Sequence, residues 1–164
     1  MKKVSVFLIT YNHEKYIAQA IESIVTQKTN FEFEVVIGED FSKDETRAIC
    51  ERYAAEYPNI INLLPSDKNY GAMENAIRVF AACTGEYVAL CEGDDYWIDP
   101  NKLQKQVDFL DQNSEYSITT HNVIVSREDN NGDIVSSLEW LGHKTSQSSS
   151  ISDIIKYGSG GATC

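Results

Sequence analysis

Short apolar runs alternate with amphipathic stretches along the first part of the chain, and the connections between them are brief. Val4 to Ile9 is a continuous apolar run of the kind buried on both faces of a parallel sheet. "HEKYIAQAIESIVTQ" follows, with Tyr16, Ile17, Ala20, Ile21, Ile24 and Val25 at helical spacing and Asn12 where an N-cap belongs. "FEVVIG" predicts a second strand and "KDETRAICERYAAEY" a second helix that Pro58 stops. "NIINLL", "GAMENAIRVFAAC" and "GEYVALC" continue as strand, helix and strand. Pro100 stands near the first position of a further helix, "NKLQKQVDFLDQ". Strand and helix in strict alternation, joined by short loops, call for an α/β fold: a mostly parallel sheet with helices on its flanks.

After residue 112 the pattern loosens. "YSITTHNVIV" predicts one more strand, "NNGD" a turn, "KTSQSSS" a polar loop and "SDIIKY" a short helix. "GSGGATC" closes the chain without a closing element, as if the fold were truncated at its C-terminus. The reading is therefore of a ligand-binding half over 1–112 and the incomplete start of a second half over 113–164.

Fourteen basic against 25 acidic residues give a net charge of −11. That balance argues against a nucleic-acid partner, because phosphate neutralisation needs clustered Lys and Arg. An acidic chain still binds a phosphorylated ligand where a cation or a helix N-terminus supplies the positive charge. The basic-then-apolar start superficially resembles a signal peptide, but its apolar stretch is only Val4 to Ile9. No run approaches the roughly 20 residues of a membrane span. Cys50, Cys83, Cys91 and Cys164 form no CxxC pair, which fits buried free thiols and a cytoplasmic location.

In open α/β sheets ligands bind beyond the carboxyl ends of the strands. Here all four ends carry unusual polar residues: "TYNH", "GEDFS", "SDKNYG" and "CEGDDYW". They predict one crevice lined by Thr10, Tyr11, Asn12, Glu39, Asp40, Asn69, Gly71, Asp94 and Asp95. Each has a plainer reading: Tyr11 as packing, Asn12 as a cap, Glu39 and Asp40 as caps of the second helix, the aspartate pair as a solvated turn. Ser42 or Asp44 serves as that second cap equally well. The pair Asp94–Asp95, with Glu92 two residues before it, is the hardest to leave unexplained. Carboxylates packed together raise one another's pKa, and a hard divalent cation, Mg²⁺ or Mn²⁺, removes the repulsion.

"VSVFLITYN", "EVVIGEDFSKDET", "NYGAMENA" and "GEYVALCEGDDYWIDPNKLQKQVDFL" together resemble the inverting family 2 glycosyltransferases of the GT-A fold, in order from Val4 to about Leu110. The resemblance implies transfer of a sugar from a nucleotide donor, a UDP-sugar above all, to a saccharide or lipid-linked acceptor, and it allows peripheral attachment to the inner face of the membrane. It implies that Thr10 and Tyr11 contact the nucleobase, with the Tyr11 ring stacked on it and Asn12 alongside. Asp40, with Glu39 beside it, would accept the imide N–H of uracil or thymine. Asp94 would bind the ribose or sugar side. Asp95, last in a DXD-like motif, would hold the metal that bridges the two phosphates.

The chain departs from the family in two places. Many relatives carry an arginine in the helix after the third strand, poised near the diphosphate, whereas this helix has Arg78 several residues later. No residue after Asp95 matches the family's catalytic base, and Asp153 reads as N-cap polarity, so the base is expected beyond Cys164. A nucleotide-sugar-binding module lacking the base is the rival reading. A nucleotidyltransferase or a dehydrogenase needs a glycine-rich loop after the first strand, which "TYNHEKY" lacks. His13 and His143 read as surface residues, and His121 as a candidate for the acceptor cleft.

Overall fold

The computed structural model describes residues 1–129 and 134–140, and it divides the chain into two compact units, Met1–Asn113 and a second beginning at Ser114. In the first unit, β1 (Val4–Thr10), β2 (Phe33–Glu39), β3 (Ile61–Leu63) and β4 (Tyr87–Glu92) form a parallel sheet in the order β3-β2-β1-β4. Between them lie α1 (Ile17–Val25), α2 (Thr46–Glu56) and α3 (Ala72–Ala82), and α4 (Lys102–Gln112) follows β4. This is the mostly parallel α/β architecture that the alternation of strands and helices calls for.

Period-2 alternation along β1 splits the core into two layers. Val4, Val6 and Leu8 face one side with Ile17, Ala20, Ile21 and Ile24 of α1, Cys50 and Tyr53 of α2, and Leu103 and Val107 of α4. Phe7 faces the other side, where Val36 of β2 and Val79 of α3 meet it. Burial of a Leu8-sized side chain stabilises by about 1.5–3 kcal/mol, so these layers hold the strands in register. The thiols of Cys50 and Cys91 are buried and that of Cys83 is half-buried, none of the three in a disulfide. Burial, with Glu39 nearby, pushes the Cys50 thiol up to about 12, so it stays neutral.

Several element ends differ from the sequence reading, each for a local reason. Helix α1 begins at Ile17 with Tyr16 at its N-cap, so Asn12 is not its cap. Asn12 instead adopts a left-handed conformation with φ 55°. Asp44, not Glu39 or Asp40, serves α2, accepting the Thr46 N–H at 3.0 Å. Pro100 precedes the α4 N-cap, Asn101, rather than occupying the first helical turn. The strand expected over "YSITTHNVIV" starts only at Val123 and runs on to Glu128 as β5, paired antiparallel with β6 (Ile134–Trp140). The expected "NNGD" turn, "KTSQSSS" loop and "SDIIKY" helix, together with His143, Asp153 and Cys164, lie outside the described residues.

At the amino end of β1, Ser5 is buried and Gly85 lies directly on it. Ser5 Oγ donates to Glu34 Oε1 at 2.6 Å and accepts the Gly85 N–H at 2.8 Å. Burial raises the Glu34 pKa, but hydrogen bonds from Ser5 and Thr84 outweigh it and hold the carboxyl below its ordinary value. A Cβ on Gly85 would lie 2.4 Å from the Ser5 nitrogen and 2.6 Å from the Val4 carbonyl carbon, both backbone atoms that cannot yield. Gly85→Ala is therefore expected to lower stability by about 1–3 kcal/mol in urea titration, as overpacking does elsewhere.

Candidate functional site

The parallel register brings three strand tips level. Thr10 stands opposite Glu39, and Ile9 opposite Glu92. Two further backbone bonds extend the pairing past the strand ends, Asp40 N–H to Thr10 O at 3.0 Å and Gly93 N–H to Ile9 O at 2.9 Å. Beyond these tips lies a cavity of about 390 Å³ lined by Ile9, Thr10, Tyr11, His13, Asp40, Asn69, Gly71, Ala72, Asn75 and Glu92. Of the residues expected there, Thr10, Tyr11, Asp40, Asn69 and Gly71 line it. Asn12, Glu39, Asp94 and Asp95 are not among the lining residues.

Asp40 is the hub of one wall. It is almost wholly buried, and both carboxylate oxygens accept backbone N–H groups from the loop before α3. Oδ1 takes Tyr70 N–H at 2.6 Å and Oδ2 takes Gly71 N–H at 2.9 Å. Asn69 Nδ2 donates to the Asp40 carbonyl at 3.0 Å, closing the loop onto β2. Gly71, with φ 80°, then opens α3, whose first turn faces the cavity. Asn75 in that turn is buried and donates from Nδ2 to Gly38 O at 2.7 Å. Only glycine fits at position 38, since a Cβ there would lie 2.3 Å from Val79 Cγ2 and 2.7 Å from Asn75 Oδ1.

Glu39 points the other way. It is 1% exposed, accepts the Ser42 N–H at Oε1 (2.6 Å), and carries Oε2 3.8 Å from Arg47 Nη1. It braces the loop after β2 from beneath. Asn12 works with it from the neighbouring loop, with Oδ1 accepting Lys43 N–H at 2.9 Å and its own N–H donating to Ser42 Oγ at 2.9 Å. His13 N–H to Thr46 Oγ1, Glu14 N–H to Asp44 Oδ2 and Glu45 N–H to Glu14 Oε2 add three more straps between these loops. Phe41, at φ 61°, is held in the left-handed region by its N–H bond to Ser66 Oγ. Tyr11 thus stands 39% exposed on a pinned backbone.

Arg78 is committed elsewhere. Its guanidinium carbon lies 3.7 Å from the Tyr70 ring centroid, and its nitrogens donate to Pro65 O and Asn75 Oδ1. It braces the loop that carries Asn69 and does not line the cavity.

The turn after β4 is seated by what flanks it. Gly93 packs on Thr10 so closely that a Cβ would lie 2.4 Å from Thr10 Oγ1 and 3.0 Å from His13 Nδ1. On the far side Trp97 is buried, with Lys102 Nζ 4.0 Å from the ring centroid and the Trp97 N–H bonded to Ser23 Oγ. Gln27 of the loop after α1 ties down the next stretch, donating to Asp99 O and accepting Leu103 N–H. Glu92, Asp94 and Asp95 are left exposed at the tip, and His13 Nε2 lies 3.9 Å from Asp94 Oδ2. Asp94 and Asp95 are hard oxygen donors of the kind Mg²⁺ and Mn²⁺ prefer. Among the described residues no three His, Cys, Asp or Glu side chains form a preformed cage. The pair fits an ion bound through one or two carboxylates that completes its shell with phosphate and water oxygens.

His13, Asn75 and Glu92 line the cavity although the sequence reading gave them no role there. The signal for Asn75 was Gly38, a glycine inside an apolar strand, which marks a close approach. His13, read as a surface residue, is half-buried against Gly93. His121 belongs to the second unit, where its Nδ1 lies 2.8 Å from Asn122 O.

The sequence profile described as glycosyl transferase family 2 matches residues 5–162. The uncharacterized protein Rv1520 of Mycobacterium tuberculosis is 44% identical over 126 residues, 77% of this chain and 36% of that protein. The mannosyltransferase PcManGT from Pyrobaculum calidifontis, solved with GDP-Man and Mn²⁺, superposes with a TM-score of 0.59 at 25% identity. The match covers 66% of this chain and 32% of that one. S. aureus TarS 1-349 in complex with UDP-GlcNAc superposes with a TM-score of 0.58 at 28% identity, covering 82% of this chain and 37% of that one. The chain thus spans about a third of the length of these relatives.

The two N–H bonds to the Asp40 carboxylate are charge-assisted, worth about 1.5–3 kcal/mol each. Asp40→Ala is expected to accelerate amide exchange at Tyr70 by roughly tenfold or more, and by less at Gly71, whose N–H keeps Asn69 Oδ1 at 3.1 Å as a second acceptor, which hydrogen exchange resolved by residue would register.

Proposed function

The chain belongs to glycosyl transferase family 2, and we propose that its first unit binds the donor of an inverting, metal-dependent glycosyltransferase that uses a pyrimidine nucleotide sugar, above all a UDP-sugar. What carries this reading is the convergence of three strand tips and the first turn of α3 on one cavity, which an aromatic ring, Tyr11, and two carboxylates, Asp40 and Glu92, line together. Its volume lies in the usual range for a small-molecule site.

Tyr11 offers a flat apolar face on which the base stacks, and Thr10 contacts the base edge. Asp40 retains lone pairs beyond the two it shares with the loop amides, and these accept the imide N–H of uracil or thymine. Asn69 and Gly71 shape the wall opposite. The positive end of the α3 dipole faces the cavity and favours an anionic ligand there. Asn12 and Glu39 act by holding the loops that carry Tyr11 and Asp40. Asp94 takes the ribose or sugar side.

Asp95, with Asp94 beside it, would hold Mn²⁺ or Mg²⁺. When bound, the cation supplies Lewis-acid stabilisation to the departing diphosphate. An acceptor hydroxyl, on a saccharide or a lipid-linked saccharide, attacks the anomeric carbon as the bond to the diphosphate oxygen breaks, and the configuration inverts. The hydroxyl proton passes to a carboxylate base, which we assign outside the described residues. No helix among the described residues is long and apolar enough to cross a membrane. The reading places the reaction in the cytoplasm, with the protein peripheral to the membrane where the acceptor is lipid-linked.

Mn²⁺ electron paramagnetic resonance tests the reading. UDP is expected to draw free Mn²⁺ into a protein-bound signal. Asp95→Ala should weaken that uptake by roughly tenfold or more and cut transfer by orders of magnitude in the complete enzyme. Undiminished UDP-dependent Mn²⁺ uptake by Asp95→Ala would remove the metal assignment.

A further inference from the structure

His13 lines the cavity, and its backbone is tied to the neighbouring loop and to the start of α1. Its N–H donates to Thr46 Oγ1 at 2.8 Å, and its carbonyl accepts both Tyr16 N–H and Ile17 N–H at 2.9 Å. Those bonds fix the backbone at the entry to α1. The ring lies against Gly93, close enough that a Cβ there would reach 3.0 Å from Nδ1. Nδ1 is enclosed and has no hydrogen-bond partner among the described residues, and neither has Thr10 Oγ1, which Gly93 also covers. The outer edge of the imidazole, Nε2, faces Asp94 Oδ2 at 3.9 Å. A ring packed this closely on Gly93, with Nε2 turned toward one carboxylate, is arranged to act on that carboxylate.

We propose that His13 is a positioning residue for the donor. Its Nε2–H steers the Asp94 carboxylate so that the free lone pairs of that carboxylate accept a ribose hydroxyl. This rests on the reading of the cavity as a nucleotide site and adds to it the residue that sets the ribose contact. The present 3.9 Å is longer than a hydrogen bond, and a small rotation of the exposed Asp94 side chain closes it. Gly93 is what permits the arrangement, since any side chain there would push the turn off the ring and carry Asp94 away from it.

Two amides distinguish the ring nitrogens. Glutamine at position 13 presents a side-chain N–H near the place of Nε2, whereas asparagine presents one near Nδ1. Binding of UDP and of 2′,3′-dideoxy-UDP, each with Mn²⁺, would be measured by calorimetry for the wild-type chain and for His13→Gln, His13→Asn and His13→Ala. Thermal melting of each variant checks that it folds. The wild type is expected to prefer UDP over the dideoxy analogue, with His13→Gln keeping most of that preference. His13→Ala and His13→Asn should bind UDP roughly tenfold more weakly and the dideoxy analogue about as well as the wild type does. A loss of fold alone would weaken both ligands equally, and that result overturns the proposal, as does rescue by asparagine or unchanged UDP binding in His13→Ala. Failure of the wild type to bind UDP at all would instead overturn the nucleotide reading on which the proposal rests.

Discussion

The register of β1 between β2 and β4 is the constraint on which the site depends. Because Thr10 pairs with Glu39 and Ile9 with Glu92, the three tips end within a residue of one another. A slip of one residue on either side would turn each tip's side chains to the opposite face. The register is held by burial: Val4, Val6 and Leu8 anchor one face of β1 and Phe7 the other. A core built for stability thereby fixes which polar groups meet at the carboxyl edge.

The loops beyond that edge are held by exchange of side chains for backbone partners. Asn12, Ser42, Asp44, Glu14 and Thr46 each accept an N–H from the neighbouring loop, so five bonds join the segments after β1 and β2. Asp40 does the same for the loop before α3, and its two N–H bonds fasten Tyr70 and Gly71. The left-handed conformations of Asn12 and Phe41 cost free energy that these bonds offset. The result is a cavity whose walls are formed in advance, so little ordering remains for a ligand to bring about.

Much of this was legible in the sequence, because it rests on local pattern. The alternation of apolar runs with amphipathic stretches gave the element order, and the polar strand ends pointed to one crevice at the carboxyl edge. What the sequence did not reveal depends on tertiary contacts. Asn12 has the chemistry of an N-cap, but the chain turns left-handed there and the helix waits until Ile17, so its oxygen serves Lys43 instead. Glu39 and Asp40 are adjacent and chemically alike, yet period-2 alternation at a strand end sends one beneath the loop and the other to the cavity. His13 looked like surface because nothing local shows that Gly93, eighty residues on, will cover it. Asn75 was hidden in the same way, its partner being the carbonyl of Gly38 on another element.

A site at these strand tips for a pyrimidine nucleoside diphosphate held through a divalent ion must depend on both the base and the ion. Calorimetric titration of UDP and of GDP into the chain, first with Mn²⁺ and then with EDTA, tests it most directly. A one-to-one UDP isotherm is expected with Mn²⁺, with loss of that binding in EDTA and GDP binding at least tenfold weaker. UDP affinity that survives EDTA unchanged, or GDP bound as tightly as UDP, would contradict it.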